Sequence, residues 1–160
     1  MTGFSHLNAK GEANMVDVSQ KDVTVREAIA AGYLYASEAV LSAIADDRIA
    51  KGDVFAVARI AGIQGAKRCA DLIPLCHPLA LSKVDIQFDV QPESGRVEVR
   101  CFCKLAGKTG VEMEALTGVN VALLTLFDMC KALDPGMQLD NIRVLEKQGG
   151  KTGKWENPSL

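Results

Sequence analysis

The spacing of apolar residues in the first half of the chain predicts one strand followed by helices. Residues 23–35 mix apolar with charged positions in a pattern that favours a strand. Ser37 then predicts a short helix ending near residue 45, because a serine hydroxyl can accept a hydrogen bond from the first turn. Apolar residues at helical spacing predict a second helix from the N-cap Asp53 to about residue 72, where Pro74 ends it.

The second half of the chain predicts a hairpin, a long helix and a last strand. Residues 84–90 and 97–105 alternate apolar and polar positions around a Pro-Glu-Ser-Gly turn, as in a β-hairpin with one apolar face. A nearly all-apolar helix is predicted over 110–133, and a strand over 142–145. This order predicts an α+β fold of the ferredoxin-like type (split βαβ), with an antiparallel sheet and helices packed on one face.

Length and composition bound the classes of protein that remain. The 160 residues, 48% of them hydrophobic, fit a single domain over 1–160, with 1–14 as a flexible arm and 154–160 as a flexible tail. A net charge of −2 with this apolar content excludes intrinsic disorder. The acidic balance and only eight aromatic residues (five Phe, two Tyr, one Trp) argue against nucleic acid as the main partner.

The N-terminus and the cysteines predict a cytoplasmic protein. Residues 1–15 are polar and lack the pattern of a signal or transit peptide, and no apolar run is long enough to span a membrane. Five cysteines are an odd number, and none forms a Cys-x-x-Cys pair. We therefore expect reduced thiols that act as small buried apolar residues rather than as disulfides or zinc ligands.

The long helix carries the first candidate chemistry. Asp128 and Lys131 interrupt its apolar surface three residues apart, and Glu114 lies on the same third of its circumference. Two interpretations stay open: a proton-handling pair in apolar surroundings, or an ion pair at the exposed edge of the helix. Glu112 and Glu114 also suit the helix dipole, but Glu114, on the Asp128 side, is the better functional candidate.

Two further features could hold a ligand. His77 lies in a stiff link between Pro74 and Pro78 that would fix its ring, although a lone histidine is often structural. The tetrapeptide Gly-Lys-Thr-Gly occurs at 107–110 and 150–153, without the preceding glycine of a P-loop. Such loops can hold an oxyanion or be simply solvated. With the scattered lysines, the residues indicate a cationic pocket containing carboxylates, suited to a phosphorylated small molecule.

Several stretches closely resemble the cyclic pyranopterin monophosphate synthase (MoaC) family of molybdenum cofactor biosynthesis. The most specific are Leu-Cys-His-Pro at 75–78 and Val-Glu-Met-Glu-Ala-Leu-Thr at 111–117. The resemblance runs from about residue 5 to residue 153, and its stretches lie at 15–18, 51–54, 58–64, 71–78, 107–117, 128–131 and 149–151.

The resemblance implies a specific reaction. Members convert (8S)-3′,8-cyclo-7,8-dihydroguanosine 5′-triphosphate to cyclic pyranopterin monophosphate and release diphosphate, as phosphorus–oxygen lyases without a metal or organic cofactor. They form homohexamers, trimers of dimers, with the active site at a subunit interface. The implied catalytic residues are Asp128, Lys131, Lys51 and His77. The implied substrate contacts are Leu75, Cys76, His77, Glu112, Met113 and Glu114.

The reaction suggests a role for each group. Lys131 is the expected general acid, and Asp128 the base or the group that orients Lys131. Lys51 and His77 are expected to stabilise the departing diphosphate, with possible helpers at Lys67, Arg26 and Lys147. The alternative is a non-catalytic nucleotide- or phosphate-sensing module of ferredoxin-like fold. An RNA-binding sheet is disfavoured because the hairpin lacks aromatic residues for stacking bases.

Overall fold

A computed structural model describes residues 5–160 and contains a five-stranded antiparallel sheet with helices on one face. Residues 1–4 of the predicted arm lie outside the described residues. The elements are β1 (Thr24–Tyr35), α1 (Glu38–Ala45), α2 (Val54–Lys67), α3 (Cys69–Leu72), β2 (Lys83–Gln91), β3 (Arg96–Gly107), α4 (Glu112–Cys130), β4 (Gln138–Gln148) and β5 (Trp155–Glu156). The predicted α+β class with a one-sided helix layer is confirmed, and the ferredoxin-like detail stays a prediction.

The first strand is the centre of the sheet. The strands follow the order β2-β3-β1-β4-β5, and each neighbouring pair is antiparallel. β1 pairs with β3 over its whole length, from Thr24 opposite Gly107 to Tyr35 opposite Arg96. β5 extends the edge of the sheet and places Trp155 opposite Lys147. The apolar pattern did not predict this short strand, which lies within the predicted tail.

The core lies between the sheet and α4. Val119, Leu123 and Leu126 of α4 are fully buried, as expected for a helix that is apolar nearly all round. β1 presents small residues to this helix, and a Cβ added at Gly32 would lie 2.9 Å from the side chains of Leu123 and Ile142. Small residues in β1 therefore let α4 lie close to the sheet.

Two predicted helices differ from those observed in their limits. The N-caps are confirmed, since Ser37 accepts from the Val40 N–H and Asp53 from the Ala56 N–H. The helix predicted over 53–72 is divided into α2 and α3 at Arg68, whose backbone (φ −108°, ψ 16°) leaves the helical region. α4 is shorter than the predicted 110–133, while β4 is much longer than the predicted 142–145 because it pairs with β1.

The cysteines match their expected role in most positions. All five are free, and Cys69, Cys101, Cys103 and Cys130 are buried, whereas Cys76 is only partly buried. Among the described residues, α4 is the one helix whose length and apolarity would suit a membrane span. Most of it is buried against the sheet and α2, which is the position of a core helix.

Candidate functional site

The C-terminal end of α4 holds a carboxylate between two lysines. The Lys131 ammonium lies 2.8 Å from Oδ1 of Asp128, and Lys51 Nζ lies 3.1 Å from Oδ2. Lys51 also donates to the Asp128 carbonyl oxygen at 3.0 Å. Since Lys51 precedes α2, this contact joins the loop before α2 to the end of α4. The structure thus brings together three of the four predicted catalytic residues.

The electrostatics of this cluster favour an ionised carboxylate. The hydrogen bonds from Lys131 and Lys51 lower the pKa of Asp128 below its ordinary value. All three side chains are about half exposed, at 48% for Lys51, 56% for Asp128 and 53% for Lys131. In the single chain, the interpretation as a pair in apolar surroundings is therefore wrong. The ion pair is exposed at the C-terminal end of α4, where Lys131 is the C-cap residue.

A second cluster lies at the opposite end of α4. A cavity of about 250 Å³ is lined there by Leu75, Cys76, His77, Met113 and Glu114, with residues of the N-terminal segment. The five predicted substrate contacts other than Glu112 thus share one wall. The link between two prolines positions the first three, and the first turn of α4 positions the other two.

His77 is oriented by the N-terminal segment. Its Nε2 lies 2.6 Å from the carbonyl oxygen of Val16. A carbonyl only accepts hydrogen bonds, so Nε2 carries the proton in this contact, and within residues 5–160 Nδ1 makes no hydrogen bond. Nothing in the sequence pattern indicated that Val16 holds the ring, because this contact joins residues 61 positions apart.

The two glutamates at the start of α4 face different environments. Glu114 is only 4% exposed, and burial, followed by repulsion from Glu112, raises the pKa of its carboxyl. Burial also raises the pKa of the neighbouring Cys76 thiol. Glu112 instead accepts a hydrogen bond from Lys147 at 2.8 Å and lines a separate cavity of about 330 Å³ beside Trp155. The two carboxyl groups therefore do not share a pocket within one chain.

The two clusters are far apart in one chain. Glu114 and Asp128 are separated by 14 positions, which at 1.5 Å per residue is roughly 21 Å along α4. His77 thus lies away from the other predicted catalytic residues. The helper candidates are also dispersed: Lys67 is exposed at the end of α2, Lys147 pairs with Glu112, and Arg26 lines a third cavity.

The fold and site define an α+β domain with ionisable clusters at both ends of its central helix. Comparison with models of known families then shows the family to which the chain belongs. A family model described as the MoaC family matches residues 15–150, which is most of the chain. The chain therefore belongs to the MoaC family, and this membership supports a role in molybdenum cofactor biosynthesis.

Proposed function

We propose that the chain is a cyclic pyranopterin monophosphate synthase. It would convert (8S)-3′,8-cyclo-7,8-dihydroguanosine 5′-triphosphate to cyclic pyranopterin monophosphate and release diphosphate, as a phosphorus–oxygen lyase. The observation that carries the proposal is the cluster of Lys51, Asp128 and Lys131, in which one carboxylate holds two ammonium groups. Family membership supports the same conclusion.

Lys131 is the proposed general acid of the ring rearrangement. Opening a purine-derived ring and closing a pterin require groups that give and take protons. Because its pKa is lowered, Asp128 stays ionised and is a weak base. This favours the orienting role for Asp128, which holds the Lys131 ammonium in place, over the role of general base.

Lys51 and His77 are the proposed groups that stabilise the departing diphosphate. The cyclic phosphate forms when a hydroxyl oxygen of the substrate bonds to the α-phosphorus and the bond from that phosphorus to the bridging oxygen breaks. The hydroxyl proton passes to a base, and diphosphate leaves with the bridging oxygen. Positive charge near that oxygen lowers the barrier because negative charge accumulates there.

The active site is proposed to form between two copies of the chain. One chain holds the Asp128 cluster and the His77 cluster roughly 21 Å apart along α4, too far for one small substrate to contact both. A second copy with its α4 running in the opposite direction would bring its His77 cluster beside Asp128. Such paired subunits fit the proposed hexamer, a trimer of dimers. Free thiols fit the proposed cytoplasmic location.

The direct test is turnover of the cyclised nucleotide by the purified protein, following diphosphate and the pterin product by mass. We expect Lys131→Ala to retain less than about a tenth of wild-type turnover, since one proton-transfer group typically contributes 10²-fold or more. Lys83→Ala, an exposed lysine on the sheet edge, is the matched control and should keep full activity. Tight substrate binding by wild type without any product would overturn the proposal and favour the sensing module.

A further inference from the structure

We propose that the N-terminal segment, residues 5–22, is a lid that closes over the ring system of the bound nucleotide and brings His6 against it. This inference rests on the proposed function. The lid forms one wall of the cavity of about 250 Å³ that contains His77, and both His6 and Val16 belong to that wall. The predicted substrate contacts form the opposite wall. A ligand in this cavity therefore lies between the lid and the rest of the fold.

Two side-chain hydrogen bonds tie the lid to the rest of the fold. His77 Nε2 donates to the carbonyl oxygen of Val16 at 2.6 Å, and Lys108 Nζ donates to that of Ser19 at 2.7 Å. Little burial adds to these tethers, because every residue over 5–13 is exposed. A segment with so few buried contacts opens at a low free-energy cost, so the lid can move while the domain stays folded.

The tip of the lid is a hairpin over residues 6–14 that holds itself together. The backbone N–H of its last residue donates to the carbonyl oxygen of its first at 2.9 Å. Inside the turn, Oδ1 of Asn8 accepts from the backbone N–H groups of Lys10 and Glu12 at 2.9 and 3.0 Å. Because the hairpin is already ordered, closing it over a ligand costs less conformational entropy than ordering a free chain would.

The tethers leave the hairpin free to turn. Val16 and Ser19 both follow the hairpin, and Met15 between hairpin and tethers is 48% exposed. Closure would bring His6 against the ligand, and a neutral imidazole offers one donor and one acceptor to the polar edge of a purine-derived ring. His77 is at once a tether of the lid and a predicted substrate contact. Ligand binding at its ring is therefore coupled to the position of the lid.

Hydrogen exchange followed by mass spectrometry tests the closure on the full chain. The ligand is the cyclised nucleotide, and Lys131→Ala is used so that little of it is consumed during the measurement. We expect the amides of residues 5–22 to exchange at least tenfold more slowly with the nucleotide bound, while the turn at 92–95 keeps its rate. Equal exchange with and without the nucleotide would overturn the lid. Slow exchange before the nucleotide is added would also overturn it, because a second copy of the chain would then cover the hairpin.

Two variants weaken the lid at positions outside the cavity wall. Asn8→Ala removes the hydrogen bonds of the hairpin turn, and Lys108→Met removes the tether at Ser19. We expect each to raise KM at least fivefold with less than a twofold change in kcat, because binding weakens while the reacting groups stay in place. Asn8→Asp keeps the acceptor oxygen and should return KM to within twofold of wild type. Lys10→Ala, an exposed residue of the same hairpin, is the matched control and should behave like wild type.

His6→Ala tests the contact between the lid and the ligand. It should raise KM at least fivefold without changing hydrogen exchange in the ligand-free protein, because His6 joins the hairpin through its backbone. An unchanged KM in His6→Ala would exclude this contact. An unchanged KM in both Asn8→Ala and Lys108→Met, or a fall in kcat alone, would overturn the lid. Slower exchange with bound nucleotide but no product from wild type would contradict the proposed function and leave the lid standing.

Discussion

Glu114 is a carboxyl group removed almost entirely from water at the first turn of α4. Burial raises its pKa, so the folded state binds this proton more tightly than the unfolded chain does. Stability from this group is therefore present at low pH and is lost as the pH rises from the ordinary value of 4.5 through the raised pKa. The charged form of Glu114, beside Cys76 and His77, therefore destabilises the folded state.

Replacing Glu114 by an uncharged residue should recover the stability that is lost when its carboxyl group ionises. We expect Glu114→Gln to melt a few degrees higher than wild type at pH 7.5, and the difference to disappear near pH 4.5, because the amide keeps the shape without the charge. Thermal melts across that pH range measure it. Glu93→Gln, at an exposed turn, should show no such pH-dependent difference. A variant equal to or less stable than wild type at every pH would show that burial does not penalise the Glu114 carboxylate.

The pKa of Asp128 should rise when one of its two lysine partners is removed. Lys131 and Lys51 both stabilise its charged form, so Lys51→Met should raise the pKa of Asp128 toward its ordinary value. Carboxyl ¹³C chemical shifts followed by NMR titration measure this pKa directly. Lys83→Met is the control, since Lys83 lies across the sheet at the start of β2. An unchanged Asp128 pKa in Lys51→Met would remove Lys51 from the cluster in solution.

At the scale of elements, small residues set how closely α4 can pack. Gly62 of α2 faces Gly118 of α4, so that a Cβ at Gly62 would lie 3.0 Å from the Gly118 carbonyl oxygen. On its other side, a Cβ at Gly118 would lie 2.6 Å from Cys101 Sγ of β3. α2, α4 and β3 thus meet so closely that a side chain at Gly62 or Gly118 would displace its neighbours. This contact fixes α4, and with it the clusters at both of its ends.

Gly118→Ala should therefore destabilise the protein despite the better helix propensity of alanine. Overpacking a rigid core typically costs about 1–3 kcal/mol, and the 2.6 Å approach to Cys101 Sγ places this substitution above the roughly 1 kcal/mol that alanine gains over glycine in a helix. Urea denaturation measures the change in the free energy of unfolding. Gly136→Ala is the control, because Gly136 is exposed and the nearest atom to an added Cβ is Oδ1 of Asp134, at 3.3 Å. Equal stability of Gly118→Ala and wild type would mean that the core can relax around the added methyl group.

At the scale of the whole molecule, the positions of the clusters make a prediction about assembly. If the active site takes Lys131 from one subunit and His77 from another, two inactive variants can complement each other. After Lys131→Ala and His77→Ala are unfolded together and refolded, random pairing should restore roughly a quarter of wild-type sites, because each mixed dimer has one intact site. Turnover of the refolded mixture is the measurement.

The matched control combines two variants from the same cluster. A mixture of Lys131→Ala and Asp128→Ala should remain inactive, because no site in a mixed dimer then contains both intact residues. Recovery in this control, or none in the first mixture, would contradict a site shared between subunits. Light scattering before and after mixing checks that both samples keep the same oligomeric state.

Local sequence patterns predicted the elements whose signals are local. Ser37 and Asp53 marked their helix starts because a cap needs only the next three residues. The β2–β3 hairpin was predicted from the alternation of apolar and polar residues on both sides of its turn. The burial of α4 was predicted from its nearly continuous apolar residues. The break at Arg68 and the full length of β4 could not be predicted in this way, since both depend on contacts with distant segments. β5 was not predicted for the same reason, since it forms by pairing with β4.

The sequence by itself determined the α+β class, the family, and which residue types could carry the chemistry, because these follow from periodicity and from short motifs. Only the tertiary structure decided how those residues are grouped. It placed Lys51 on Asp128 across 77 positions, Val16 on His77, and the Gly149-Gly150 turn against Arg26. It also exposed the Asp128–Lys131 pair and held it away from His77. Each of these depends on how β1, α2 and α4 pack, and packing joins residues whose separation along the chain carries no local signal.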